Sequence, residues 1–486
     1  MVRKGSNLIG LFSILSVFIY ALFFSLSRKL FTQNLLTYTA LFALFLGLFF
    51  VFKRVSNSPN ILFQKLRINR WQWSGVVTVL FITGLIFRFT ALHVTPNLSQ
   101  DFFRFIWDGY QLLAGFSPYA TIPDDIIATQ SYHIPHANFL HEGMGALSSG
   151  HHSSYPPLNQ FFFALSSGLG YDNLFATMMW MRVFIILADI GIFVYGIKLL
   201  RMMGKPAYLI ALYYLNPFVI IELTGNLHWE GMMAFFSLLS IYYLLRWDTI
   251  KSALFLGNGI LIKLMPVLIL PLLFRYLPFK KLVVYYLFTG FVVVLAFVPF
   301  LSLDIIENYG SSVGLWFGTF EFNASIYYIV RAVGFEIMGY NIIGTAAKIL
   351  PIITIIVIGI LSVYRKNNIP EVLLSSIVFS FFSYYLLSTT VHPWYLTIPL
   401  LFSIFTKYRF MILWSFTVFL SYYAYGNEDY QESMWMIALE YGVVVAYLIY
   451  ELFFTDHWMI NEGKLITRSW FTSLRPSQKT FLKLFF

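Results

Sequence analysis

Apolar runs long enough to cross a bilayer recur along this chain and limit its folding more than any motif does. A transmembrane helix needs about 20 predominantly apolar residues. Runs of that kind stand near 8–26, 35–52, 74–92, 178–200, 207–223, 231–246, 282–301, 341–363, 371–388, 410–425 and 434–455. A shorter run lies at 395–406, and a broken pair at 252–264 and 266–277. Composition agrees, with 59% hydrophobic and only 11% charged residues, roughly half the charged share of a soluble domain. A water-soluble enzyme and a disordered chain are both excluded. Cysteine is absent, which removes disulfide scaffolds, thiolate metal sites and cysteine nucleophiles. The expected fold is an all-α polytopic transmembrane helical bundle of about 12–14 spans, counting the broken hairpin.

The first run starts with Arg3 and Lys4 but has no small-residue cleavage site, so it reads as a retained anchor. The formal charge of +10 fits a topology signal better than a nucleic-acid footprint. Basic clusters at Arg3/Lys4, Lys53/Arg54/Lys65/Arg67/Arg70, Arg201/Lys205, Arg246/Lys251, Arg275/Lys280/Lys281, Arg365/Lys366, Lys407/Arg409 and Lys464 to Lys483 can all be cytoplasmic. The condition is that 252–277 enters and leaves on one side, broken at Lys263-Leu-Met-Pro266, where proline ends a helix. Arg28 and Lys29 are then the exception, in an outer loop. This places 93–177, 224–230, 302–340, 389–394 and 426–433 outside, both termini in the cytoplasm, and a basic tail at 456–486. Residues 1–455 form one transmembrane domain, in which 1–73 supplies two spans before the run that leads into the large loop. No cytoplasmic piece reaches the roughly 100 residues of a nucleotide-binding α/β domain. Chemistry is therefore expected at the outer membrane–water boundary, on a substrate that the membrane delivers.

The densest polar constellation opens the 93–177 loop. Asp101, Arg104 and Asp108 recur at helical spacing on one stripe, and Phe102, Phe103, Phe105, Ile106 and Trp107 would face lipid or protein. A carboxylate beside an arginine at an interface can act as a general base or organise an anionic ligand; an ion pair at a helix end fits the spacing equally. His133, His136, His141, His151 and His152 follow, with Asp124, Asp125 and Glu142. These types suit divalent ions, but the spacing matches no familiar zinc pattern. A solvated polar loop is the expectation. Further along come Asn226-Leu-His228-Trp-Glu230, Lys263 within an apolar run, and His392-Pro-Trp394-Tyr395 at a helix mouth. Intramembrane lysine is costly and usually functional or paired, and a histidine can donate to a phosphate or a sugar hydroxyl. Asn97-Leu-Ser99 and Asn323-Ala-Ser325 fit a glycosylation acceptor pattern. Arg88, Arg182 and Asp189 read as structural ion pairs or remain unassigned.

Taken in order, Asp101-x-x-Arg104-x-x-Trp107-Asp108-Gly109, Gly115-x-x-Pro118-Tyr119, Tyr155-Pro-Pro, Asn226-x-His228, Lys263-x-x-Pro266, Phe322-Asn323-x-Ser325 and His392-Pro-Trp394-Tyr395 resemble the GT-C glycosyltransferases. The likeness is to bacterial polyprenyl-phosphate-dependent mannosyltransferase-like members, over about residues 75 to 425. The resemblance implies a lipid-phosphate sugar donor, a glycan or lipid acceptor, no nucleic acid partner, and a bacterial inner membrane location with the site extracytoplasmic. It also implies an acidic catalytic residue in the first large outer loop, a position that Asp101 matches. No Asp-x-Asp stands there, so no cofactor is implied and a divalent metal is not expected.

Asp101 is then the expected base. Arg104, Lys263 and His392 are phosphate-side candidates, while Asp108, Tyr155, His228 and Glu230 are candidates for orienting sugar or acceptor. Tyr119, Asn323, Trp394 and Tyr395 complete the expected substrate-binding set. The alternatives are a transporter or flippase of lipid-linked sugars, and an O-antigen ligase or polymerase. The first predicts polar residues along a central path, whereas here they gather outside; the second favours a late large loop, whereas here it is early.

Overall fold

A computed structural model describes residues 2–57, 73–130, 134–427 and 429–454. The architecture is helical throughout, and the strand-like pairing among the described residues is one parallel bridge between Phe322 and Thr390. Seven described helices are long and apolar enough to cross a membrane: Gly5–Ser25, Phe31–Ser56, Leu174–Met202, Phe279–Phe300, Ile343–Tyr364, Pro370–Leu387 and Met434–Phe453. The pair Ala207–Tyr214 and Pro217–Gly225, bent by 51°, makes an eighth if counted as one span. The bend follows from Pro217, which cannot continue the hydrogen-bond ladder, and the Asn216 side chain caps the second piece by accepting from the Phe218 amide (3.0 Å).

The other apolar runs form shorter helices, namely Gly75–Phe89, Glu230–Leu245, Thr249–Ile262, Met265–Arg275 and Phe410–Gly426. Length rather than hydrophobicity separates these from the full spans. The break at Lys263 is present: Thr249–Ile262 ends where Lys263 turns extended. The chain resumes as a tighter 3₁₀ helix, Met265–Arg275, with Pro266 in its first turn. The basic tail at 456–486 lies outside the described residues.

The 93–177 loop is a packed helical layer. Its first helix, Asp101–Leu113, lies against Pro157–Gly170. The approach is so close that a Cβ on Gly109 would sit 2.4 Å from Ser167 Oγ and 2.6 Å from the Phe163 carbonyl oxygen. The Phe105 and Phe163 rings stack nearby at 4.7 Å. The first two helices are also part of the body, since Tyr38 donates to the Ser415 carbonyl (2.5 Å) and stacks on Phe419 at 4.3 Å.

Two arginines inside the bundle are accounted for structurally. Arg88 Nε meets Asp189 Oδ2 at 2.8 Å with both side chains fully enclosed. The same guanidinium donates to the Gly84 and Tyr214 carbonyls, both at 2.9 Å, and lies 4.1 Å over the Tyr214 ring. Arg182 donates to the carbonyls of Thr224 (3.1 Å), Leu92 (3.2 Å) and Val94, tying Leu174–Met202 to the bent pair and to the end of Gly75–Phe89. Removing one partner of a buried ion pair strands the other. Asp189→Ala is therefore expected to cost about 3–5 kcal/mol of stability, read as a lower unfolding midpoint in detergent. Combining Arg88→Met with Asp189→Leu should recover most of the loss.

Candidate active site

Asp101 occupies the first turn of the helix Asp101–Leu113, where the helix dipole favours a negative charge. Its amide donates to Ser99 Oγ (3.2 Å). The side chain is half-buried and lines a cleft of about 580 Å³, a volume that includes open solvent. Burial pushes its carboxyl up to about 6, with Lys263 pulling down, Glu230 pushing up and a Ser99 hydrogen bond pulling down.

The expected stripe divides into two functions. Arg104 Nε pairs with Asp108 Oδ1 at 2.6 Å. Asp108 is fully enclosed, and its second oxygen accepts from Ser153 Oγ (2.6 Å) and Gln160 Nε2 (2.9 Å). Arg104 Nη1 donates to the carbonyls of Ser148 and His151, the latter at 2.9 Å. Together the pair clamps segment 148–153 onto the Asp101 helix. Asp108 was expected to touch substrate; its enclosure corrects this, and it serves as a positioning residue. Tyr119 is corrected likewise, because it is buried, its hydroxyl donates to the Tyr155 carbonyl (2.7 Å), and its ring packs on Phe300 and Tyr309.

A second wall faces Asp101 from distant parts of the chain. Lys263 Nζ donates to Glu230 Oε1 and lies 4.6 Å over the Tyr395 ring. Glu230 opens the helix Glu230–Leu245 just after His228. The His228 ring stacks on Trp394 at 3.7 Å and 15°, and Trp394 stacks on His392 at 4.6 Å and 3°. Both faces of the Trp394 ring are thus covered, which leaves it no open face for a sugar ring. Burial, with Lys263 adding to it, pushes His392 down to about 3, and burial, Lys263 and His392 lower His228 as well. Both imidazoles are neutral at pH 7. His228 Nε2 also lies 3.9 Å from Glu222 Oε2, and Glu222 Oε1 accepts from the Tyr422 hydroxyl (2.8 Å).

Asp101, Tyr155, His228, Glu230, Lys263, His392, Trp394 and Tyr395 are therefore neighbours, linked by these contacts and by mutual electrostatic influence. Asn323 belongs to an adjoining buried cluster. Its amide nitrogen donates to Glu432 Oε1 (2.5 Å), its side chain to Glu440 Oε1 (3.2 Å), and its carbonyl accepts from Tyr441 (2.7 Å). With no exposed surface, Asn323 is neither a substrate contact nor a glycosylation acceptor in the folded chain. Ser153, Gln160 and Tyr422 were missed, and nothing in their spacing marks them. Among the described residues no three His, Asp or Glu side chains gather as a metal set. His141 pairs with Asp124 (2.6 Å), while His136 and His151 donate to the Asp172 (2.7 Å) and Leu147 (2.9 Å) carbonyls. His133 lies outside the described residues.

An all-helical body with seven candidate membrane-spanning helices is consistent with the polytopic fold of GT-C-type membrane glycosyltransferases. The chain belongs to the MptA_B family, its residues 18–277 matching the model described as alpha-(1->6)-mannopyranosyltransferase, N-terminal domain. The family indicates α-mannosyltransferase activity of the membrane GT-C type, which sets aside the transporter and ligase alternatives. The match includes Asp101, Glu230 and Lys263, whereas His392, Trp394 and Tyr395 lie beyond it. No curated protein matches the chain.

The clamp makes a local prediction. Asp108→Ala should release residues 148–153, seen as faster amide hydrogen exchange across that segment. Asp101→Asn should leave the exchange there unchanged.

Proposed function

We propose that the chain moves a mannosyl group from a polyprenyl-phosphate-sugar donor to a hydroxyl of a lipid or glycan acceptor, at the extracytoplasmic face of a bacterial inner membrane. The step is a direct displacement with inversion, and Asp101 is the general base. The observation that carries this is a half-buried carboxylate, raised to about 6, beside the Lys263–Glu230 pair. As the acceptor oxygen bonds to the anomeric carbon, its proton passes to an Asp101 oxygen. The bond from that carbon to the phosphate oxygen breaks, and its electron pair leaves with the lipid phosphate. If the product is the α-(1→6) linkage of the family's name, inversion requires a β-linked donor and attack by a C6 hydroxyl.

Charge growing on the departing phosphate calls for fixed donors placed in advance. Lys263 is the cation suited to this, because it stands within electrostatic reach of Asp101, whereas Arg104 is committed to Asp108 and to the Ser148 and His151 carbonyls. His392, being neutral, contributes as a hydrogen-bond group rather than a charge. Tyr155, Glu230, Tyr395 and His228 shape the pocket around the sugar. The isoprenoid tail would lie along apolar helix faces, and the Lys/Arg distribution supports the outward-facing orientation.

Asp101→Asn should lower kcat by about 10²- to 10⁴-fold with membrane insertion intact, measured as transfer of labelled mannose; near-normal turnover would contradict the assignment. The base must be ionised, so kcat/KM should fall as pH drops through about 6, well above the ordinary aspartate range of about 4. Lys263→Met removes a charge that favours the carboxylate and should move this acid limb up. Glu230→Gln removes one that opposes it and should move the limb down. A pH–rate profile of each variant decides.

A further inference from the structure

Asn226 opens the segment Asn226-Leu-His228-Trp-Glu230, two of whose members lie at the site. It is buried and follows a six-residue π-helix, Ile220–Gly225, a rare turn that is frequent at functional sites. The Asn226 amide closes that turn on the Ile221 carbonyl (2.9 Å). Leu227 then takes a φ of 63°, a left-handed conformation unfavourable for any residue with a Cβ. Such a conformation persists where the surroundings hold it. His228 and Glu230 follow directly, and Glu230 bonds Lys263. The Asn226 side chain is bonded at both ends. Its Oδ1 accepts from the Leu98 amide (3.2 Å), and its Nδ2 donates to Glu222 Oε2 (3.5 Å). Glu222 in turn accepts from the Tyr422 hydroxyl (2.8 Å). The amide has one workable orientation here, since Leu98 offers only a donor and the carboxylate is the acceptor. Leu98 stands three residues before Asp101. Between them, the Asp101 amide donates to Ser99 Oγ (3.2 Å) and Gln100 donates to the Met144 carbonyl (3.1 Å), both partners within the loop layer. Asn226 therefore ties the wall of His228 and Glu230 to the chain that leads into Asp101.

We propose that Asn226 is a positioning residue for the transfer step. By holding Leu98 against the turn that carries His228 and Glu230, it sets the separation between the Asp101 carboxylate and the Lys263–Glu230 pair. The inference rests on Asp101 being the base. Buried, with both amide atoms bonded within the protein, Asn226 acts through geometry rather than by touching substrate. Its loss should therefore slow the reaction and leave substrate affinity nearly unmoved.

The test uses the full chain in detergent, with labelled-mannose transfer and amide hydrogen exchange as readouts. Asn226→Ala should lower kcat about 10- to 100-fold, the effect of a misplaced catalytic group, with donor and acceptor KM within about 3-fold of wild type. Added to Asp101→Asn, the same substitution should cost less than about 2-fold more, because residues that act as one unit are not additive. A merely structural role would remove the same factor in both backgrounds. Exchange at residues 97–100 should quicken in Asn226→Ala and stay slow in Asn226→Asp, which keeps the oxygen that accepts from Leu98; kcat should follow the same order. If the unfolding midpoint shows that Asn226→Ala does not fold, Asn226→Ser, which keeps a hydroxyl but stops short of Leu98, replaces it in both assays. Unchanged exchange, unchanged kcat, an equal loss in the Asp101→Asn background, or a raised KM at constant kcat would each overturn the proposal. Failure of the base assignment shows separately, as turnover retained in Asp101→Asn alone.

Discussion

The contact on which the site depends is the ion pair between Lys263 and Glu230. Each residue stands at an interruption of an apolar segment: Lys263 where Thr249–Ile262 stops, Glu230 where Glu230–Leu245 begins. A lysine there has a partner at hand, which is what makes it tolerable in apolar surroundings. The carboxylate gains from its own helix N-terminus. The pair fixes a cation against the Tyr395 ring and within electrostatic reach of Asp101. Without the proline-enforced break at 263–266, Lys263 would continue a helix and no cation would face the loop layer.

The loop layer answers from the opposite side. Its scaffold rests on two enclosed positions: Gly109 permits the close helix contact, and Asp108 gathers Arg104, Ser153 and Gln160. Asp101, the proposed base, sits two turns earlier, half-buried at the start of the same helix. Within electrostatic reach of Lys263, the His228 and His392 rings each stack on Trp394.

The membrane class, the break at Lys263 and the helix that Asp101 opens were legible in the sequence, because hydropathy, proline and helical spacing are local signals. Span lengths were less so, since Gly75–Phe89 and Thr249–Ile262 are apolar yet shorter than a full span. Helical spacing put Asp101, Arg104 and Asp108 on one stripe, but it could not tell which of them pair. That is decided by Ser153 and Gln160, which are 45 and 52 residues away from Asp108 along the chain. Asn323 stood out as a polar residue at an outer loop end, yet Glu432, Glu440 and Tyr441 enclose it. Tertiary hydrogen bonds of this range leave no spacing for a sequence to show.

A single displacement, with Asp101 as base and the phosphate leaving on the far side of the anomeric carbon, fixes the stereochemistry of the product. The direct measurement is ¹H NMR of the anomeric proton after one round of transfer from a β-linked polyprenyl-phosphate mannose. An α-linked product is the outcome this account predicts. A β-linked product would require a second displacement or a covalent intermediate and would contradict it.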